Sequence, residues 1–211
     1  MTKSPRLKPS RLANRAGTDL NEIKKILEQS TICTVSYQSD NQAYALPTAF
    51  VLHNNEVVIH GSVKSDFLIG LIDQRVCISV FQLHGYVLAA SAFHHSMNYA
   101  SVVLFAKPRE ITSLSEKEAS LRAFTEKIIP DRWASLRPVT EGELSATRVL
   151  AFSLEESSCK ARTGGPSDEK EDENFPTWTG VVPLELKFND PQPAANKENM
   201  ALPDHIKNLY K

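Results

Sequence analysis

The sequence predicts a mainly β protein with helical inserts, in which short antiparallel strands form a closed or split β-barrel. Short runs rich in Val, Ile, Thr and aromatic residues recur along the chain and are separated by polar turns, which is typical of a barrel built from tightly connected strands. Regular alternation of strands with helices is missing, and neither a G-x-G-x-x-G nor a P-loop motif occurs. A Rossmann sheet is therefore disfavoured.

The first predicted elements are a helix and a meander of three strands. Residues 18–30 (TDLNEIKKILEQS) have a helical apolar face, and Thr18 or Asp19 can cap the amino end. Strands are predicted over residues 31–38, 43–52 and 57–62. Because Pro47 has no N–H to donate, the second strand should be an edge strand, or be bulged or interrupted there.

The elements predicted after residue 62 are a mixture of helices and strands without regular alternation. A short helix over residues 65–73 has Ser65 as its predicted cap. Further strands are predicted over residues 75–83, 85–93, 98–111 and 147–162. The helix over residues 115–129 ends before a proline and places Leu121, Phe124 and Ile128 on one side. Thr140 and Glu143 have the spacing of a capping box, which predicts a brief helix.

The chain is predicted to hold one domain with two appended segments. Residues 1–17 form a basic arm expected to be flexible, residues 18–184 form the domain, and residues 185–211 form a tail. Residues 163–176 are a long acidic loop within the domain. The formal net charge of −1 gives the chain no general attraction to nucleic acid or to an anionic membrane.

The composition also predicts the compartment. No run approaches the roughly 18 apolar residues that a membrane-spanning helix needs, and the amino terminus has no secretory apolar stretch. The chain has three cysteines, an odd number without paired spacing, at Cys33, Cys77 and Cys159. We therefore expect reduced thiols in or near the core. These observations predict a cytoplasmic protein.

The first candidate site is the stretch IHGSVKS, where a strand ends and a helix begins. Glycine lets the backbone approach a ligand closely, and hydroxyls, backbone amides and an ammonium converge there, as in a phosphate-binding cradle. The alternative is structural, with a glycine turn, a serine cap and a solvated lysine. The candidate residues are His60, Gly61, Ser62, Lys64 and Ser65.

The second candidate site is SAFHHSMNY. No further ligand stands at metal-binding spacing, and no nucleophile elbow accompanies the serines, so metal and nucleophilic roles are disfavoured. A polar pocket wall fits better, because strand alternation turns at least one histidine inward and an amide and a phenol can satisfy the edges of a planar ligand. The residues are His94, His95, Asn98 and Tyr99.

The third candidate site is KARTGGP. Lys160 and Arg162 are two residues apart, so an extended strand places them on one side, where they can bind an anion. A solvated basic edge facing the acidic loop is the alternative. Trp178 is interpreted as the cap of a pocket, a subunit contact or a core aromatic residue.

These motifs, in this order, resemble the pyridoxamine 5'-phosphate oxidase-related flavoproteins, in the branch of nitroimidazole-resistance-like flavin nucleotide-binding proteins. The resemblance covers roughly residues 18–184 and includes ALPTAF, HGSVKS, SAFHHSMNYASVV, ELSATRVLAFSLEE, and KARTGGP followed by WTGVVPL. It implies an FMN-binding split barrel that forms a homodimer, with FMN held without a covalent bond in two equivalent clefts between the chains.

The resemblance also implies roles for individual residues. Pro47, Thr48 and Ala49 would lie along the isoalloxazine ring, and the HGSVKS residues would hold the phosphate. His94, His95, Asn98 and Tyr99 would line the ring and reach toward the partner's flavin. Two positions depart from the branch, which often has arginines where this chain has Asp66 and Ala100.

The sequence therefore predicts an FMN-dependent oxidoreductase that acts on a small molecule, with His94 or His95 as the catalytic proton donor. A flavin- or haem-binding module without turnover is the alternative, because histidines also serve as axial haem ligands. A third interpretation is a scaffold that has lost its cofactor, which depends on Asp66 and Ala100.

Overall fold

The structure is a computed structural model that describes residues 16–172 and 174–210. Residues 1–15 of the predicted arm lie outside the described residues. The strands are β1 Ala16–Gly17, β2 Ile32–Ser39, β3 Gln42–Ala49, β4 Val51–His53, β5 Glu56–Ser62, β6 Val76–Leu88, β7 Ser96–Ala106, β8 Arg109–Ile111, β9 Thr147–Ser153, β10 Ser157–Arg162 and β11 Gly180–Pro183. The α-helices are α1 Leu20–Glu28, α2 Asp66–Leu71, α3 Leu114–Ile128, α4 Glu141–Ser145 and α5 Asp204–Lys207.

The strands form two antiparallel sheets. The larger sheet has the order β1-β10-β7-β6-β2-β3, with β11 paired to β6, and the smaller sheet has the order β4-β5-β9-β8. Neither sheet closes on itself, which is the arrangement of a split barrel. The prediction of a mainly β split barrel with helical inserts is confirmed. None of the described helices is long and apolar enough to cross a membrane.

Two predicted strands are each divided between the sheets. Residues 43–52 separate into β3 of the larger sheet and β4 of the smaller sheet at Phe50, and residues 147–162 separate into β9 and β10 around Leu154. Phe50 is buried, and apolar residues continue through the first crossing, so the pattern did not indicate a break there. The second crossing leaves the core after buried Leu154, because Glu155 is exposed in a turn.

Pro47 lies within an unbroken edge strand. It pairs with Thr34 of β2, and β3 has no second neighbour among the described strands. The edge position predicted from the missing N–H is therefore confirmed, while the strand is not interrupted at the proline.

The predicted strands 75–83 and 85–93 are wrong as separate elements. They form one strand, β6, with a bulge at His84 that shifts the pairing with β7 between Leu83 and Gly85. Residues 92–94 form a 3-10 turn instead of a strand. The break in alternation at His84 comes from an extra residue within a continuous strand.

The main core lies between the two sheets. Helix α1 contributes Ile23 and Leu27, which are fully buried, and helix α2 contributes Leu68 and Leu71. A second, smaller cluster lies on the other face of the smaller sheet, where Phe124 of α3 packs against it. Both faces of the smaller sheet are thus covered. The smaller cluster consists of Val51, Val58, Ile111, Val149 and Ala151.

The helix termini follow the predicted caps. The Asp19 carboxylate accepts a hydrogen bond from Asn21 N, and the Ser65 hydroxyl accepts one from Leu68 N. Thr140 and Glu143 form the predicted capping box at α4. Each cap satisfies an amide that has no partner within its helix.

Helix α3 presents only part of the predicted apolar face, since Phe124 packs against the smaller sheet and Leu121 is half-buried. Ile128 is 48% exposed, and the buried side chains of the helix are Lys117 and Ser120. The Lys117 ammonium donates to the carbonyl oxygens of Leu144 and Thr147, which allows a charged group to face inward. The contact with α4 therefore sets the orientation of the helix.

Candidate functional site

The candidate site lies on the face of the larger sheet that points away from the core, which we call the outer face. Residues that pair directly across antiparallel strands have their side chains on the same face. Arg162 pairs with Tyr99, and Lys160 pairs with Ser101, which in turn pairs with Phe81. Two predicted cations thus share a surface with a tyrosine and a phenylalanine.

Two aromatic rings form the centre of this outer face. The Phe81 and Tyr99 rings stack with centroids 6.0 Å apart and an interplanar angle of 28°. Phe81 is 60% exposed, so its ring offers a wide apolar surface to a neighbour. An exposed stacked pair of this kind can cover the face of a planar ligand. Phe81 was not predicted as a site residue, although its place in the alternation of β6 indicated a face opposite to buried Val80.

The guanidinium of Arg162 is held by three acceptors. It donates to the Asn98 amide oxygen over 2.6 Å, to the Gly164 carbonyl over 3.2 Å and to the Gly165 carbonyl over 2.8 Å. Asn98 in turn donates from Nδ2 to the Gly164 carbonyl over 3.1 Å. These bonds fasten the glycine turn to β7 through Asn98, whose side chain is 9% exposed. Arg162 therefore positions this loop, and two of the predicted site residues meet directly.

Lys160 is the freer of the two predicted cations. Its side chain is half-buried on the outer face, and within the described ranges no acceptor bonds its ammonium. A cation with unused donors beside aromatic rings is suited to an anionic group.

The two histidines lie in the turn between β6 and β7. His95 Nδ1 is 2.8 Å from the Ser91 carbonyl oxygen. Because a carbonyl oxygen only accepts, Nδ1 carries the proton and Nε2 holds the lone pair. The His95 side chain is exposed. This geometry prepares Nε2 to bind a metal or to accept a proton.

His94 is fixed by two polar neighbours. Its Nδ1 is 2.9 Å from the Ser91 hydroxyl, and its Nε2 is 3.6 Å from a Glu169 carboxylate oxygen. The neighbouring Asp168 accepts a hydrogen bond from Ala90 N over 2.8 Å. The acidic loop is thereby attached to the histidine turn. We expected strand alternation to turn a histidine inward, but this segment is a turn and not a strand. His94 is half-buried because of its contacts with Ser91 and Glu169.

The predicted phosphate cradle lies at the end of the smaller sheet. Lys64 N donates to the Ser62 hydroxyl, and Ser65 N donates to the Ser62 carbonyl, which forms a tight turn between β5 and α2. Both Lys64 and Ser62 are exposed. The backbone of this corner is bonded to Ala146 and Arg148, and none of these bonds runs to the outer face.

His60 lies apart from the rest of the cradle. Its ring packs edge-on against Phe124 of α3, with centroids 4.6 Å apart, and burial lowers its pKa from the usual 6.5. Gly61 faces the opposite side, where an added Cβ would lie 3.0 Å from the Leu68 side chain. A side chain at this position would therefore require the Leu68 side chain of α2 to shift.

The three residues predicted along the isoalloxazine divide between two faces. Pro47 lies on the outer face, in a row with Thr34, Ser79 and Val103. Ala49 points to the same side, two residues along, whereas Thr48 pairs with Cys33 on the core side.

The two departures from the family pattern also differ in place. Asp66 is exposed in the first turn of α2, where a carboxylate is stabilised by the helix dipole. Ala100 is buried on the core side of β7, so an arginine side chain would not fit there without rearrangement.

A comparison with protein-family models gives one match, to pyridoxamine 5'-phosphate oxidase, over residues 19–161. No curated protein matches the chain. Two solved structures resemble nearly the whole chain. The flavocytochrome Anf3 from Azotobacter vinelandii is 33% identical, with a TM-score of 0.91, and the match covers 97% of this chain and 96% of that one.

The FAD and haem binding protein from Mycobacterium smegmatis is 32% identical, with a TM-score of 0.88, over 93% of this chain and 97% of that one. A protein from Bacteroides thetaiotaomicron described as a 5-nitroimidazole antibiotic resistance protein is 19% identical, with a TM-score of 0.58, over 69% of this chain and 85% of that one. The likeness to the Bacteroides protein concerns the fold alone.

Proposed function

Because the chain belongs to the pyridoxamine 5'-phosphate oxidase family, we propose that it is a flavin-dependent oxidoreductase that also binds haem. The outer face and the adjoining histidine turn carry this proposal, since together they provide a cation that has no acceptor among the described residues, stacked aromatic rings and a histidine with a free ring nitrogen. Two structures that match nearly the whole chain are named as a flavocytochrome and as an FAD and haem binding protein, which supports both cofactors.

The residues on the outer face fit a flavin. Phe81 and Tyr99 can cover a conjugated ring, and Lys160 can neutralise a phosphate or the N1 edge of the ring. Bound flavin would supply hydride and electron transfer to a small-molecule substrate. The family resemblance favours FMN, and the mycobacterial structure favours FAD. Chromatography of the flavin released from the protein distinguishes the two nucleotides.

His95 fits the role of an axial haem ligand. Its Nδ1–H donates to the Ser91 carbonyl, which fixes the ring orientation and leaves the lone pair of Nε2 directed away from that bond. Haem would supply one-electron chemistry. Replacement of His95 by alanine should abolish haem binding and leave flavin binding intact.

We also propose that the site is completed in a homodimer. The HGSVKS corner and the outer face are not joined within one chain by any bond among the described residues, and a cleft between two copies would let one chain provide the phosphate corner and the other the histidine turn. Sedimentation of the apo-protein and of the flavin-bound protein measures the oligomeric state. The cytoplasmic location predicted above is part of this proposal, and the three cysteines are free thiols in buried or half-buried positions.

The absorbance of the purified protein tests the function directly. Flavin bands that bleach with dithionite, together with a Soret band, are expected. His84→Ala is the matched control for His95→Ala, because His84 is also an exposed histidine near the outer face and should keep the Soret band. A protein that remains colourless and binds neither flavin nor haemin would refute the proposal, and unchanged haem binding in His95→Ala would refute the ligand assignment.

A further inference from the structure

Trp178 has one side of its indole against backbone and the rest open to solvent. If Gly180 carried a Cβ, that atom would lie 2.8 Å from Trp178 Cζ2 and 2.9 Å from Cη2. The indole therefore occupies the space that any other side chain at this position would fill. Trp178 is nevertheless 64% exposed, so this packing does not bury the side chain in the core.

Trp178 lies at the end of the larger sheet from which the histidine turn starts. Gly180 pairs with Leu88 at the end of β6, three residues before Ser91, whose carbonyl fixes the His95 ring. The indole thus packs on the β11 residue that pairs with the last residue of the strand leading into this turn. The tryptophan and the histidine are supplied by separate parts of the chain that β11 brings to the same end of the larger sheet.

Trp178 also extends a row of exposed apolar side chains. Met97, Tyr86 and Val182 face one another across β7, β6 and β11, and they are 47%, 45% and 41% exposed. Val182 is two residues from Gly180, so it points to the same side of β11 as the indole. This row continues the outer face toward the histidine turn. These side chains offer an apolar surface that a ligand could cover.

We propose that Trp178 is a stacking platform for the planar conjugated ring of the cofactor at this site. The close contact with the Gly180 backbone holds the indole in place and leaves its exposed surface available to the ring, while the neighbouring row supplies an apolar border. The inference deepens the proposed function and rests on it. Isoalloxazine and porphyrin share the required chemistry of a flat, conjugated ring.

The chain has two tryptophans, Trp133 and Trp178, which provides a matched control. Trp133 lies in the turn after α3, where its backbone N–H donates to Glu126. The apo-protein with the full chain is titrated with FAD, FMN and haemin separately. Trp178→Ala should weaken binding of the stacked ring by about tenfold, which corresponds to about 1.4 kcal/mol, and Trp133→Ala should not. Trp178→Phe, which retains a ring, should recover part of the affinity.

The emission of bound flavin gives an independent signal, because contact with an indole quenches flavin fluorescence, and Trp178→Phe should restore part of it when flavin is the stacked ring. The thermal unfolding of each variant checks that the fold is retained.

The outcomes are distinguishable. If the wild-type protein binds neither flavin nor haemin, the proposed function fails. If it binds them and Trp178→Ala binds them with wild-type affinity, the function stands and the stacking role is refuted. Selective loss of flavin or of haemin affinity supports stacking and identifies the ring.

Discussion

The Asn98–Arg162 pair gives the most quantitative prediction. Asn98→Ala removes a charge-assisted hydrogen bond of 2.6 Å and a neutral one of 3.1 Å. A neutral bond contributes about 0.5–1.5 kcal/mol and a bond to a charged group about 1.5–3 kcal/mol. The free energy of unfolding should therefore fall by about 2–4.5 kcal/mol. Arg162→Met should cost a similar amount, because it leaves the amide oxygen of a nearly buried side chain without a partner.

A double-mutant cycle isolates the interaction between the two side chains. Urea denaturation of the wild type, both single variants and the double variant should give a coupling energy of about 1.5–3 kcal/mol. Hydrogen exchange in residues 163–172 should accelerate in each variant, because the glycine turn loses its attachment to β7. Arg137→Met is the control, since Arg137 forms an exposed ion pair with Glu143, and it should be much less destabilising.

The result that refutes this reasoning is additivity. If the two single losses sum to the loss in the double variant within about 0.5 kcal/mol, the side chains do not stabilise each other. Unchanged exchange in the loop would likewise show that the bonds do not hold it.

Three further predictions concern charge. Because burial lowers the pKa of His60 from 6.5, the unfolded chain binds the proton more strongly, and the free energy of unfolding should fall as the pH drops below 6.5. His60→Gln should reduce this fall, whereas His84→Gln should not. If the free energy of unfolding depended on pH equally in the wild type and in His60→Gln, the burial argument would be contradicted. Burial also lowers the pKa of Lys127 from 10.5 to about 8, so the contribution of Lys127 to the free energy of unfolding should rise between these pH values. The difference between the wild type and Lys127→Met, measured by denaturation across that window, tests this, and a difference independent of pH would exclude it. Lys64→Glu should weaken flavin binding at least tenfold, or about 1.4 kcal/mol, whereas Lys107→Glu should not; an unchanged dissociation constant for Lys64→Glu would rule out the phosphate cradle.

The fold class could be predicted because it depends on local signals. Strand-forming runs, turn residues and caps such as Ser65 and Thr140 act over a few residues, and each is visible in the sequence. The division at Phe50 could not be predicted in this way, because the local apolar pattern there is the same whether the chain stays in one sheet or changes to the other. The division after Leu154 is different, since Glu155 and Glu156 interrupt the apolar pattern, and the prediction of a single strand missed that signal.

The candidate site shows the same limit. The spacing of Lys160 and Arg162 correctly predicted a shared face, since that depends on the strand period alone. It did not reveal that the Arg162 guanidinium turns back to Asn98 and the glycine turn, because those bonds depend on the loop after β10. His60 was placed with the phosphate residues by its sequence position, whereas the alternation of β5 and the approach of α3 set its ring against Phe124.

At the bulge at His84, the alternation of inward-facing and outward-facing side chains along β6 shifts by one residue. Before it, Phe81 and other odd-numbered residues face outward; after it, Tyr86 faces outward and Val87 becomes fully buried. Loss of the His84 codon would remove the extra residue, and Gly85, Tyr86 and Val87 would keep their partners and their faces, because Leu83 and Gly85 would then follow each other in regular alternation. Deletion of His84 should thus be better tolerated than a deletion within the regularly paired β7, which would turn the side chains that follow it to the opposite face.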